Sequence, residues 1–276
     1  MTRTAALGTY LSHPELPYLA PPSWLHTQEV VGETRSVLAL AEDETGNPRR
    51  KPLIPLPGRH HRWHDDVTAL AATLRAEPDG TRMVVMETEA GTRHLTERAD
   101  ALPWKTDFDW YGMVREVHDP GPAERAVSLA QVPHLIPAAF RLWNDESFAA
   151  PIDDETSRRL TAEHPLWLAE NAYVVTPDGE HVVATARLHI EKDGLSEPFA
   201  FLRGLIVART ARDTSSLSAL TAVYAALMDR LRADGVPRCH LKVAADNHRL
   251  RQFYELLGFG VEARVRELSV PVGTGA

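Results

Sequence analysis

The sequence predicts a mixed α/β fold of the α+β kind: a sheet of short strands flanked by helices, with a smaller α+β region ahead of it. Three observations carry this. Short apolar runs bounded by turn residues recur as hairpins between residues 171 and 207. The stretch Ser216–Ala233 sets Leu217, Leu220, Val223, Tyr224, Leu227, Met228 and Leu231 on one helical stripe. From Cys239 to Phe259 the chain reads as strand, short polar link, helix and glycine stop.

Composition narrows the class. With 276 residues, 43% hydrophobic and 25% charged, the chain has material for one large domain or two small ones. No apolar run reaches the roughly 18–20 residues needed to cross a bilayer, so no membrane partner is expected. The N-terminus lacks a long apolar h-region, and the single Cys239 sits in an apolar strand. A secretory signal and an internal disulfide are therefore not expected, and cytoplasmic residence is. A net charge of −8 argues against a nucleic-acid partner, which would need clustered cations. The basic residues are nearly all Arg, a bias of G+C-rich coding DNA, and a bacterial source is expected.

Residues 1–105 differ from the rest. Pro14, Pro17, Pro21 and Pro22 punctuate an extended opening. Thr34–Ala41 reads as a strand. The prolines of Pro52–Gly58 argue against an interior strand, because they lack donors. Arg59–Asp66, with three histidines and two aspartates, reads as a solvated loop whose Asp65 or Asp66 caps a helix from Val67; no metal site is expected there. Arg82–Glu87 and Thr92–Leu95 read as a hairpin around Glu89-Ala-Gly91. The region reads as a small α+β unit, too short to be a full second copy of the later domain.

Trp104–Trp110 reads as an aromatic link, and Tyr111–Val117 as a strand. Val127–Trp143 reads as helix interrupted at Pro133 and Pro137, and Asp153–His164 as a helix start with acids in its first turn. Strands are expected at Asn171–Val175, His181–Ile190 and Pro198–Val207. The long helix stops at Asp234-Gly-Val-Pro237, and a strand pair closes the chain around Gly260–Val270.

The stretch Asn247-His-Arg-Leu-Arg-Gln-Phe-Tyr254-Glu-Leu-Leu-Gly258-Phe259 has asparagine, an apolar residue three later, tyrosine seven later, then Glu-x-x-Gly-Phe. It resembles the C-terminal motif of the GNAT acetyltransferases, and the element order over about 111–270 is similar to that family's domain. The resemblance implies two regions, 1–105 and 111–276. The second would be GNAT-like, a mostly antiparallel mixed sheet flanked by helices. The first would cover the acceptor side or make a dimer contact.

The resemblance further implies acetyl-CoA as co-substrate and a primary amine of a small molecule as acceptor, attacking the thioester directly with no covalent enzyme intermediate. It makes Tyr254 the general acid for the departing thiolate. Asn247 would bond backbone or cofactor at the strand–helix link, and Leu205, Ile206 and Val207 would lie along the acyl-pantetheine arm. Arg212, Thr214, Ser215 and Ser216 would hold the pyrophosphate at a helix N-terminus. The loop departs from the family pattern, since Ser215 and Leu217 stand where small residues, mostly glycine, belong. Glu170, His189, Glu191, Glu197 and His240 are general-base candidates by location. Two alternatives stay open: a non-catalytic GNAT-like interaction or CoA-sensing module, and a transferase with another acyl donor.

Overall fold

The computed structural model describes residues 18, 29–42, 47–56, 59–97, 101–119, 126–146, 172–192, 197–209 and 214–272, without the side chains of 60, 143–146 and 214–216. In chain order the elements are β1 (Val30–Glu33), β2 (Val37–Leu40), β3 (Arg50–Pro55), α1 (His60–Thr73), β4 (Arg82–Thr88), α2 (Glu89–Thr96), β5 (Lys105–Glu116) and β6 (Ala126–Ser128). They continue as α3 (Ile136–Glu146), β7 (Ala172–Val175), β8 (Ala184–Glu191), β9 (Phe199–Val207), α4 (Thr214–Ala233), β10 (Arg238–Ala244), α5 (His248–Leu256) and β11 (Gly260–Pro271). The expected α+β class, with a mostly antiparallel sheet and flanking helices, is what forms.

Two compact units divide the chain: residues 1–115, 191–197 and 240–276 in the first, 116–190 and 198–239 in the second. In the first unit the strands run in the order β1-β2-β3-β4-β11-β5-β10. Its core is built on α1. Trp63, Val67, Leu70 and Leu74 recur at steps of four and three, and all are buried with Leu53, Met83, Val85, Leu95, Leu268 and Val270. Each such side chain contributes roughly 1.5–3 kcal/mol by leaving water.

This unit revises several expectations. The interval 34–36 is a turn between β1 and β2, closed by Thr34 N donating to Val37 O. β3 is an interior strand despite Pro52 and Pro55. It pairs antiparallel with β2 only over Leu53–Pro55 and parallel with β4 only over Arg50–Leu53. Each proline thus stands outside one of the two ladders, and a missing donor costs little. The histidine-rich stretch is helical, since α1 begins at His60 with no side-chain cap. Asp65 and Asp66, the two expected caps, lie inside the helix, and Asp66 accepts from the Ser36 hydroxyl at 2.5 Å.

In place of the hairpin expected around Glu89-Ala-Gly91, β4 is followed by α2. Thr88 caps that helix by accepting from Gly91 N at 3.2 Å, and a Cβ on Gly91 would collide with Glu87. Glycine is there for close approach, not to turn the chain. The expected link Trp104–Trp110 supplies the whole first half of β5, Lys105–Trp110, and the expected closing pair is the single strand β11.

In the second unit the strands run β9-β8-β7-β6. Val127 and Ser128 are in a strand and helix starts only at Ile136, after a 3₁₀ turn at Pro133–Leu135. The prolines thus stand where regular helix has not yet begun or is in its first turn. The expected helix at Asp153–His164 lies outside the described residues. Along α4, Val223, Tyr224, Leu227, Met228 and Leu231 are buried, whereas Leu217 is 58% exposed. The helix ends as expected: Val236 N donates to Leu231 O and Gly235 N to Arg232 O, with Gly235 at φ 67°.

Seven elements recur in the same order. Three strands, a helix, a strand, a helix and a final strand make up β1–β5 with α1 and α2, and again β7–β11 without β6 and α3. Both final strands, β5 and β11, are 12 residues long. Within the first unit β11 lies between β4 and β5, and β5 lies between β11 and β10. Each final strand is therefore inserted between the other repeat's last two strands. The N-terminal region repeats more of the later fold than its length suggested.

Candidate active site

The Asn247–Phe259 segment lies in the first unit, and local chemistry explains its spacing. Asn247 Oδ1 accepts from Leu250 N at 3.1 Å, which satisfies a first-turn donor of α5. At the other end Gly258 takes φ 86°, its N–H donates to Glu255 O, and Phe259 N donates to Tyr254 O at 3.0 Å. This pair of bonds is a Schellman closure, which calls for a left-handed residue at the glycine and an apolar contact across it. The contact is Phe259 edge-on to Tyr254, with ring centroids 5.8 Å apart. Tyr254 is thus held by its carbonyl and its ring together, two helical turns from the cap, and is 5% exposed.

β5 braces this segment. Ala245 N donates to Asp109 O at 2.9 Å just before the cap. The Arg251 guanidinium lies 5.3 Å from the Tyr111 ring centroid. Asp109 accepts from Arg264 at 3.0 and 2.7 Å and from Arg266 at 3.4 Å. Burial works to raise the Asp109 carboxyl, but the bonds and charges of Arg264 and then Arg266 outweigh it and hold it below its ordinary value. Burial pushes the Glu267 carboxyl up, against the pull of Arg50 and Lys242. None of these contacts has a short-range signal in sequence; Asp109 and Tyr111 stand more than 130 residues before the helix they support.

The general-base candidates fall in different settings. His189 is half-buried, Glu197 is exposed and Glu191 is 3% exposed. Glu170 lies outside the described residues. His240 is 3% exposed, with Nδ1 3.1 Å from the Tyr18 hydroxyl, and that hydroxyl donates to Glu262 at 2.6 Å. Tyr18 comes from the proline-punctuated opening, where nothing marked it.

The remaining candidates belong to the second unit. Leu205, Ile206 and Val207 are half-buried at the end of β9, and Ile206 packs on the cluster of Leu129, Leu135 and Phe140. Gly204, just before them, has φ 61° within the strand. A left-handed residue there kinks a strand and redirects the backbone beyond it, a device common beside active sites. In the sequence Gly204 signals only the absence of a carboxylate. Thr214, Ser215 and Ser216 form the first turn of α4, and that turn carries no acidic residue, although Asp213 stands just before it in the sequence. Arg212 lies outside the described residues. Among the described residues no group of three or more His, Cys, Asp or Glu side chains could hold a metal, and no helix is long and apolar enough to cross a membrane.

The family model for the acetyltransferase (GNAT) family matches residues 136–259, from α3 through the glycine stop. Among solved structures, a GCN5-related N-acetyltransferase from Sphaerobacter thermophilus matches with a TM-score of 0.56 at 16% identity, over 97% of this chain and 90% of that one. One from Kribbella flavida matches with a TM-score of 0.53 at 16% identity, over 98% and 96%. A tandem GNAT protein of the clavulanic acid biosynthesis pathway, solved without acetyl-CoA, matches with a TM-score of 0.57 at 14% identity, over 99% and 96%. Identities this low speak for the fold. No curated protein matches the chain. Residues 136–259 thus carry a GNAT acetyltransferase domain, and the general chemistry that this supports is acyl transfer.

Proposed function

We propose that the protein is an acetyl-CoA-dependent N-acetyltransferase that acetylates a primary amine of a small molecule. The observation that carries this is the Asn247–Phe259 segment: a side-chain cap, a Schellman closure and, between them, a tyrosine fixed at both carbonyl and ring. In this reading the neutral amine attacks the thioester carbonyl, the C–S bond breaks, and the Tyr254 hydroxyl gives its proton to the leaving thiolate. A phenol is protonated at neutral pH and can act as that donor. The ammonium proton of the adduct passes to a base or to water. His240, backed by Tyr18 and Glu262, is one candidate for it.

Acetyl-CoA fits the residues present. The acid-free first turn of α4, with Thr214, Ser215 and Ser216, suits a pyrophosphate, and Arg212 adds a cation from the preceding loop. The redirected backbone at Leu205–Val207 suits the pantetheine arm. Leu217 departs from the family pattern, yet it is 58% exposed, so it is not packed beneath the first turn. The test is thiol release from acetyl-CoA across a panel of primary amines. Tyr254→Phe is expected to lower kcat by roughly 10²–10⁴-fold with little change in CoA affinity. Turnover unchanged in that variant, or no CoA binding by calorimetry, overturns the reading.

A further inference from the structure

The two repeats differ at the positions that matter for transfer. Thr88 and Asn247 are equivalent: each stands where the strand after the repeat's first helix gives way to the next helix, and each caps that helix by accepting the N–H three residues on. Seven residues past Asn247 is Tyr254; seven past Thr88 is Leu95, fully buried in the core with no hydroxyl to give. The first repeat's counterpart of the β9–α4 junction is the passage from β3 to α1. There β3 stays in register beside β4 from Arg50↔Arg82 to Leu53↔Val85. Beyond that ladder Leu56 N donates to Ser36 O at 2.7 Å, so this junction donor is engaged within the repeat.

The start of α1 is also occupied. Trp63 is fully buried and its indole N–H donates to Leu56 O at 3.3 Å; Leu56 is itself fully buried. Arg59, the cation nearest that terminus, is committed to Arg35 O at 2.7 Å. The main-chain N–H and C=O of Leu56 and the Arg59 guanidinium are thus all bonded within the repeat.

We infer that the chain is a fused pair of copies of one fold in which the first has become a sealed, non-catalytic copy, so that one acyl-CoA binds per chain, in the second. The inference rests on the proposed acetyl-CoA chemistry. The first copy still serves the second: its strand β5 stands beside β10, and Asp109 O holds the chain just ahead of Asn247.

Calorimetric titration of the full chain with acetyl-CoA tests this. The expected stoichiometry is one. Arg212→Glu, in the second copy's loop, is expected to weaken binding by roughly tenfold or more by repelling the pyrophosphate. Arg59→Glu, at the matching place in the first copy, is expected to leave affinity unchanged. A stoichiometry of two overturns the inference while leaving the acetyl-CoA reading intact. So does a single site weakened by Arg59→Glu and indifferent to Arg212→Glu. No binding in the unsubstituted protein overturns the acetyl-CoA reading and this inference with it.

Discussion

Replacing Gly258 by alanine separates backbone strain from catalytic placement. The residue has φ 86°, and an alanine there sits in the left-handed region at a cost of roughly 1–2 kcal/mol. The new Cβ would also lie 2.9 Å from Arg115 Cζ, but that is the far end of a flexible side chain that can move aside. The strain should therefore dominate, and a domain of this size would lose about 2–8 °C in Tm. Gly179 provides the control. It has φ 77° with nothing within 4 Å of an added Cβ, so Gly179→Ala carries the same strain far along the sequence from the Tyr254 closure.

Both variants are expected to lose similar stability in thermal or urea unfolding. Only Gly258→Ala is expected to lose kcat, because it loosens the turn that fixes the Tyr254 carbonyl and ring. Gly258→Asn should recover part of both losses, since asparagine tolerates the left-handed region. Wild-type stability in Gly258→Ala would refute the strain argument. Equal loss of turnover in both alanine variants would refute the claim that the closure places Tyr254.

Three further outcomes are expected. Asn247→Ala should cost about 1 kcal/mol of unfolding free energy by orphaning Leu250 N–H, whereas Asn247→Asp, which keeps an acceptor, should cost little. Asp109, held below its ordinary 3.8, contributes stability that is present above that value and lost as pH falls through the lowered one, so Asp109→Asn should flatten the acid limb of stability against pH. Glu267, raised above 4.5, works in the opposite sense: its contribution is intact below 4.5 and lost as pH rises through the raised value. Glu267→Gln should therefore gain on the parent as pH rises; unfolding midpoints from about pH 3 to 8 check both signs, and a shift of both variants in one direction would refute them.

Features set by neighbours three or four residues apart were legible in the sequence. The Asn247 cap, the Gly235 and Gly258 stops and the buried stripe of α4 all depend on such spacing. Where a local signal had two uses, it misled. Gly91 resembles a turn glycine but serves close approach to Glu87 inside a helix, and Asp66 resembles a cap but is committed to Ser36. The prolines of β3 argued against an interior strand because sequence does not show that its two ladders cover different residues. The exchange of β5 and β11, and the bracing of α5 by Asp109 and Tyr111, have no local signature, since their partners lie more than 130 residues apart.

The exchanged strands also set an order of events during synthesis. β11 is made after the other elements described above, yet it fills the place between β4 and β5, pairing Met83 with Val270 and Tyr111 with Arg264. Until it is made, the edges of β4 and β5 that it covers lack their partner strand. The early half of the chain must wait, partly assembled and prone to pair with the wrong strand, for β11 to close it. Ends so far apart in sequence also make the closing step slow. A chain truncated before Gly260 would leave both repeats incomplete at once, so loss of the 12 residues of β11 should be felt near residue 83 as much as near residue 254.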